Sequence, residues 1–165
     1  MAELARSIRV VSAVFERQGR YLITQRFGTG ILAGPWEFPN GQVMSGESHE
    51  AALQREIRER IGVEILVGRL RARSTHFYVG HSLERALYDA QIRSDQEPRP
   101  LRVASVRWVT AQDLELYPFA PADQGTVDSI LGPVQGDGHR TSTAARIGEY
   151  ARAQEQSTQT NHLYR

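Results

Sequence analysis

The chain has 165 residues, 40% of them apolar and 24% charged, with a formal net charge of +1, the composition of one globular domain large enough for a real core. No run approaches the ~18 consecutive apolar residues of a membrane span, the near-zero charge gives no overall pull toward nucleic acid, and the absence of cysteine excludes disulfides, thiol catalysis and thiolate metal sites. The first residues, MAELARSIRVV, lack the basic-then-apolar order of a secretion signal, so a cytoplasmic location is the expectation.

Residues 8–16 (IRVVSAVFE) are β-branched and partly alternating, which predicts a strand. Gln18-Gly19 turns the chain, and residues 20–27 (RYLITQRF) return as the second strand of a hairpin. Residues 28–39 read as a loop rich in glycine and proline that ends on Trp36-Glu37-Phe38-Pro39. A helix is expected over 48–61, with no proline to interrupt it and Gly62 placed for a C-terminal cap. Residues 63–73 and 83–93 read as further strands, with another stretch of strand at His76-Phe77-Tyr78, and 106–109 as a short one. Thr110 caps a short predicted helix over 110–116, and Pro121-Ala122-Asp123 starts another over 121–131. This order of elements suggests α+β or an α/β/α sandwich.

Composition shifts at Gly132, where GPVQGDGHRTST is polar and glycine-rich. The expectation is one domain over 1–131 and a C-terminal extension over 132–165, a linker followed by a helix over 144–156. Ile147 and Tyr150 share one face of that helix, a surface on which a homodimer can form.

All twenty basic residues are arginine, so every cation is a planar fork suited to phosphate or carboxylate, and lysine chemistry such as a Schiff base is excluded. Glu56 and Glu59, three apart on the predicted helix, project from one face. Two carboxylates placed this way can hold a hard divalent cation such as magnesium or manganese. Such a pair is also what a solvated helix face presents. Glu47 falls at the helix N-terminus, where negative charge is favoured, and Arg55 can reach back to it and pin loop to helix. The five histidines have no zinc-like spacing, no serine sits in a nucleophile elbow, and Glu84-Arg85 reads as a surface pair.

Residues 41–63, GQVMSGESHEAALQREIRERIGV, resemble the Nudix box, G-x5-E-x7-R-E-U-x-E-E-x-G-U, where U is a bulky aliphatic residue. Every fixed position matches but one, Arg60, which stands where the family has the second glutamate of its E-E pair. Trp36-Glu37-Phe38-Pro39, the strand Leu22-Ile23-Thr24-Gln25-Arg26, Val106-Arg107-Trp108-Val109 and the segment YPFAPAD over 117–123 are similar to the MutT-like branch, and the likeness covers residues 8–131. It implies a Nudix-type α/β/α sandwich with a mixed sheet. The activity it implies is metal-dependent hydrolysis of a nucleoside triphosphate or related nucleoside diphosphate derivative. Its cofactor would be Mg2+ or Mn2+, and its substrate a small nucleotide, with neither nucleic acid nor membrane as partner.

Carried over by position, Glu56 and Glu59 are the catalytic acids, and Asn40, Glu47, Glu56 and Glu59 are the metal ligands, Asn40 through its carbonyl. Asparagine replaces the family's usual glycine there and tolerates a left-handed backbone. Arg26 is implied as the phosphate fork, or else is an exposed strand-end arginine. Asp123 is implied as the reader of the base edge, or else caps a helix. Trp36 and Phe38 stack on the base or belong to the core, and Tyr78 walls the pocket. Arg102 replaces an acid that many relatives carry before the tryptophan, and Met44 replaces another near the box glycine. Two readings follow: an enzyme with fewer ligands that turns over slowly, or a nucleotide-binding or regulatory module.

Overall fold

The computed structural model describes residues 6–132, and the helix expected over 144–156 lies outside them. The chain forms two compact units, Met1–Ala111 and Gln112–Arg165.

The first unit is built on a seven-stranded sheet. Strand β1 is Arg6–Arg17, β2 Arg20–Gln25, β3 Trp36–Glu37, β4 Asn40–Gln42, β5 Ile65–Tyr78, β6 His81–Ile92 and β7 Ser105–Thr110. The order is β3-β2-β1-β6-β5, with β4 beside β1 and β7 beside β2. β1 runs parallel to β6 and every other pairing is antiparallel, so the sheet is mixed as expected. Gln18 and Gly19 take φ values of 53° and 71°, the left-handed pair that joins β1 to β2 in a tight hairpin.

Two short strands, β3 and β4, lie within and just after the segment expected to be loop. Neither shows the alternation by which a strand is read from sequence. Each exists because a neighbour extends its ladder: Gln25 pairs with Trp36, and Val11 with Gly41. Asn40 is a strand residue opposite Ser12, and the positive-φ non-glycine residues among those described are Gln18 and Ser94. The left-handed backbone expected at Asn40 is therefore not the one adopted; strand pairing fixes it as extended.

The one α-helix of this unit, α1, is His49–Ile61. Ser48 caps it, its Oγ accepting from the Ala51 N–H at 3.1 Å. Gly62 ends it at φ 72°, its N–H donating to the Arg58 carbonyl at 3.0 Å. Ala52, Leu53, Ile57 and Ile61 form its apolar face and pack with Val11, Ala13 and Phe15 of β1 and Ala86 and Ala90 of β6. Each fully buried Leu or Ile stabilises the fold by about 1.5–3 kcal/mol. Alternation along β1 then turns Ser12 to the opposite face of the sheet.

In the second unit the helix expected over 110–116 is a 3-10 helix, Gln112–Leu116, and Thr110 is the last residue of β7. The helix expected over 121–131 is a 3-10 turn, Pro121–Asp123, running into α2, Gln124–Leu131.

Candidate active site

The box loop crosses the sheet at β4 and climbs to α1, and Arg55 holds its two ends together. The Arg55 guanidinium donates from Nε and Nη2 to the two oxygens of Glu47 at 2.7 and 3.0 Å. Nη2 also donates to the Gln42 carbonyl at 2.9 Å, and Nη1 to Glu56 Oε1 at 2.9 Å. Glu47 Oε2 accepts from the Met44 N–H at 3.0 Å as well. The hydrogen bonds from Arg55, then the one from the Met44 N–H, pull the Glu47 carboxyl down to about 2 from 4.5. The same contact with Glu47 raises the Arg55 pKa.

Gly41 makes this packing sterically feasible. A Cβ built on it would overlap the Cβ, Cγ and Cδ of Glu56, so helix and strand approach closely only because the side chain is missing. Glu56 is 8% exposed, and a carboxylate at that depth needs partners. It has two: Arg55 on Oε1, and Arg60 one turn later, whose Nε donates to Oε2 at 2.8 Å.

Glu59 lies on the outer part of the same helix face and accepts from Arg102 Nη1 at 3.0 Å through Oε2. Arg102 gets there because its segment docks on the end of α1. The Leu101 and Arg102 N–H groups both donate to the Arg60 carbonyl at 3.0 Å, and the Arg99 N–H donates to the Ile61 carbonyl at 2.9 Å. These carbonyls would otherwise lack helical partners.

Glu47, Glu56 and Glu59 thus each face arginine, and with Arg55, Arg60 and Arg102 the six formal charges cancel. Among the described residues no three Asp, Glu or His side chains cluster at metal-binding spacing. Glu47 has both oxygens committed to Arg55. The donors that suit a hard divalent cation are Glu59, whose Oε1 accepts no hydrogen bond from any described residue, and Glu56 once Arg60 releases it. Both carboxylates are held by guanidinium groups in this structure, Glu56 by Arg55 and Arg60 and Glu59 by Arg102.

Arg26 stands apart from this network. It follows β2, and its Nε pairs with Glu37 Oε2 at 2.5 Å. Glu37 is 1% exposed, whereas the Arg26 side chain is 55% exposed, which leaves the rest of the fork turned outward. The buried Glu37 fixes the arginine's direction, a role its place between Trp36 and Phe38 gives no hint of. Asn40 donates from its side-chain amide to the Phe38 carbonyl at 2.9 Å, and its own carbonyl belongs to β4 beside the Gly41–Glu56 contact.

Phe38 is wholly buried and Trp36 nearly so, with the Arg107 guanidinium 5.3 Å from the Trp36 ring centre. Tyr78 is exposed at the β5–β6 hairpin end and stacks on His81, 4.9 Å between ring centres. Asp123 is buried at the N-cap position of α2, yet its side chain makes no capping hydrogen bond. Arg85 is also buried, its Nε donating to Ser12 Oγ at 2.8 Å. The surface pair expected of Glu84-Arg85 is therefore incorrect: strand alternation sends the two to opposite faces, and Glu84 accepts from Ser7 Oγ at 2.7 Å. The signal was Ser12 and Arg85, each one residue before a core alanine.

Against known proteins, the NUDIX domain matches residues 10–129. The chain is 32% identical over 132 residues to a CTP pyrophosphohydrolase of Escherichia coli, covering 75% of this chain and 91% of that one. It is 34% identical over 136 residues to a Mycobacterium tuberculosis protein whose name gives 8-oxo-dGTP diphosphatase, covering 79% and 95%. A solved MutT NUDIX hydrolase from Burkholderia pseudomallei superposes with a TM-score of 0.65 at 27% identity, covering 74% of this chain and 96% of that one.

Proposed function

The chain belongs to the Nudix family, in its MutT-like branch, and is a Nudix-type nucleotide pyrophosphohydrolase; from that premise we propose that it cleaves a nucleoside triphosphate to the monophosphate and pyrophosphate. The relatives named for CTP and for 8-oxo-dGTP differ in base and agree in the triphosphate, so the triphosphate is the part carried over. The observation that carries the reading is the Gly41–Glu56–Arg55–Glu47 packing, in which one guanidinium ties the loop carboxylate Glu47 to the helix carboxylate Glu56 against the bare Gly41 backbone.

Glu56 and Glu59 would hold the divalent cation, Mg2+ or Mn2+. When bound, such an ion lowers the pKa of its water and offsets charge developing on the phosphates. Glu56, with Arg55 fixed on Oε1, would present Oε2 to orient the attacking water once Arg60 releases it. Arg26, anchored by Glu37, takes a phosphate oxygen with its outward N–H groups. Phe38 is core packing and not an open stacking surface, since it is wholly buried.

Arginine on Glu56 and Glu59 favours slow turnover and a high metal requirement, because a cation must displace a guanidinium to bind. The test is a panel of nucleoside triphosphates with Mg2+ or Mn2+, following monophosphate, pyrophosphate and phosphate. Monophosphate with pyrophosphate supports the proposal. Nucleotide binding without any product would assign a regulatory module instead.

A further inference from the structure

We propose that Arg60 and Arg102 form a phosphate-binding pair that grips the polyphosphate of the substrate directly, supplying positive charge at the box acids; this deepens the hydrolase reading and rests on it. The first observation is their placement. Arg60 comes from α1 and Arg102 from the docked segment after β6, and the Arg102 N–H is hydrogen-bonded to the Arg60 carbonyl at 3.0 Å. Backbone pairing therefore fixes where the two side chains start, and they end on Glu56 and Glu59, three residues apart on the same helix.

The second observation is unused donor capacity. Arginine carries five N–H donors in a planar fork. Among the described residues Arg60 commits only Nε, to Glu56, and Arg102 only Nη1, to Glu59. The side chains are 32% and 70% exposed, so the remaining donors are open to an incoming anion, and moving them requires little desolvation. Tetrahedral phosphate oxygens match that fork.

The third observation is charge. With three arginines on three glutamates the face is neutral. An acidic face repels a polyphosphate until cations arrive, whereas a neutral face does not, and its outward guanidinium N–H groups can donate to the phosphate oxygens. A cation that takes Glu56 and Glu59 would free both arginines for the phosphates, so the two ligands would exchange partners and not compete.

The probe is inorganic tripolyphosphate, titrated calorimetrically into the full chain with EDTA present. The wild type is expected to bind it without metal, more weakly as salt rises. Arg60→Gln and Arg102→Gln should each weaken binding about tenfold, the loss of one charge-assisted anchor. Arg58→Gln, whose guanidinium is paired with Glu64 elsewhere on α1, should leave binding unchanged. No metal-free binding by the wild type, or unchanged affinity in both glutamine variants, would overturn the proposal. Turnover of nucleoside triphosphates is measured separately: hydrolysis with no arginine-dependent binding leaves the hydrolase standing and removes this inference. Arginine-dependent binding without hydrolysis does the opposite.

Discussion

Gly41→Ala introduces one methyl group at the tightest point of the box. The new Cβ would meet the Cβ, Cγ and Cδ of Glu56, on a helix whose Leu53, Ile57 and Ile61 are fully buried. Neither β4 nor α1 can retreat without opening that core, so the strain falls on both. Overpacking of this kind costs about 1–3 kcal/mol, and alanine's smaller unfolded-state entropy offsets about 0.5–1 kcal/mol. The expected net loss is about 1–2 kcal/mol, or roughly 2–8 °C in Tm for a domain of this size. The assay is a double-mutant cycle by urea unfolding with Glu56→Gly. Alanine at 56 would keep a clashing Cβ, whereas glycine removes all three atoms. In the Glu56→Gly background Gly41→Ala should cost nothing or stabilise, a coupling of about 1–3 kcal/mol that equals the overpacking cost. Equal destabilisation in both backgrounds, or none in either, would refute the steric account.

Arg60→Glu removes the guanidinium from Glu56 and adds a ligand, so the Mn2+ concentration for half-maximal turnover should fall about tenfold, read from metal titrations of initial rate; an unchanged requirement would contradict the site described. Glu47 is a carboxyl whose pKa drops from 4.5 toward 2 on folding, so its contribution to stability is complete above 4.5 and disappears as pH falls toward 2. Urea midpoints of the wild type and Glu47→Gln should therefore differ by a constant amount from about pH 8 to about 5 and converge in acid. Ile57→Ala leaves a cavity under α1 and should lower unfolding free energy by about 2–5 kcal/mol without changing the denaturant slope.

The parts of the fold legible in the sequence are those with local signals. The helix expected over 48–61 is His49–Ile61, flanked by a capping serine and a glycine, and the β1–β2 hairpin is joined by a turn pair, so chain-local chemistry sets their limits. β3 and β4 are two and three residues long and exist through pairing with β2 and β1, which no local window contains. In the site, helical spacing puts Glu56 and Glu59 on one face, and only the resemblance of residues 41–63 to the Nudix box singles them out from a solvated pair. Their partners were only partly legible: Arg60 lies one turn from Glu56, but Arg102 reaches Glu59 across 43 positions of chain. Trp36 and Phe38 suit pocket or core equally by residue type, and both are buried in the structure. Glu37 was hidden for a related reason: its significance comes from being buried against Arg26, a property of the fold and not of the neighbouring letters.

The most direct test of the central claim, that the Glu56–Glu59 face performs pyrophosphohydrolysis, is product analysis in 18O-labelled water with a nucleoside triphosphate and Mn2+. Wild type should release monophosphate and pyrophosphate with one labelled oxygen, and Glu56→Gln, similar in size and still folded, should release neither. Equal turnover by Glu56→Gln, or diphosphate with inorganic phosphate as the products, would contradict it.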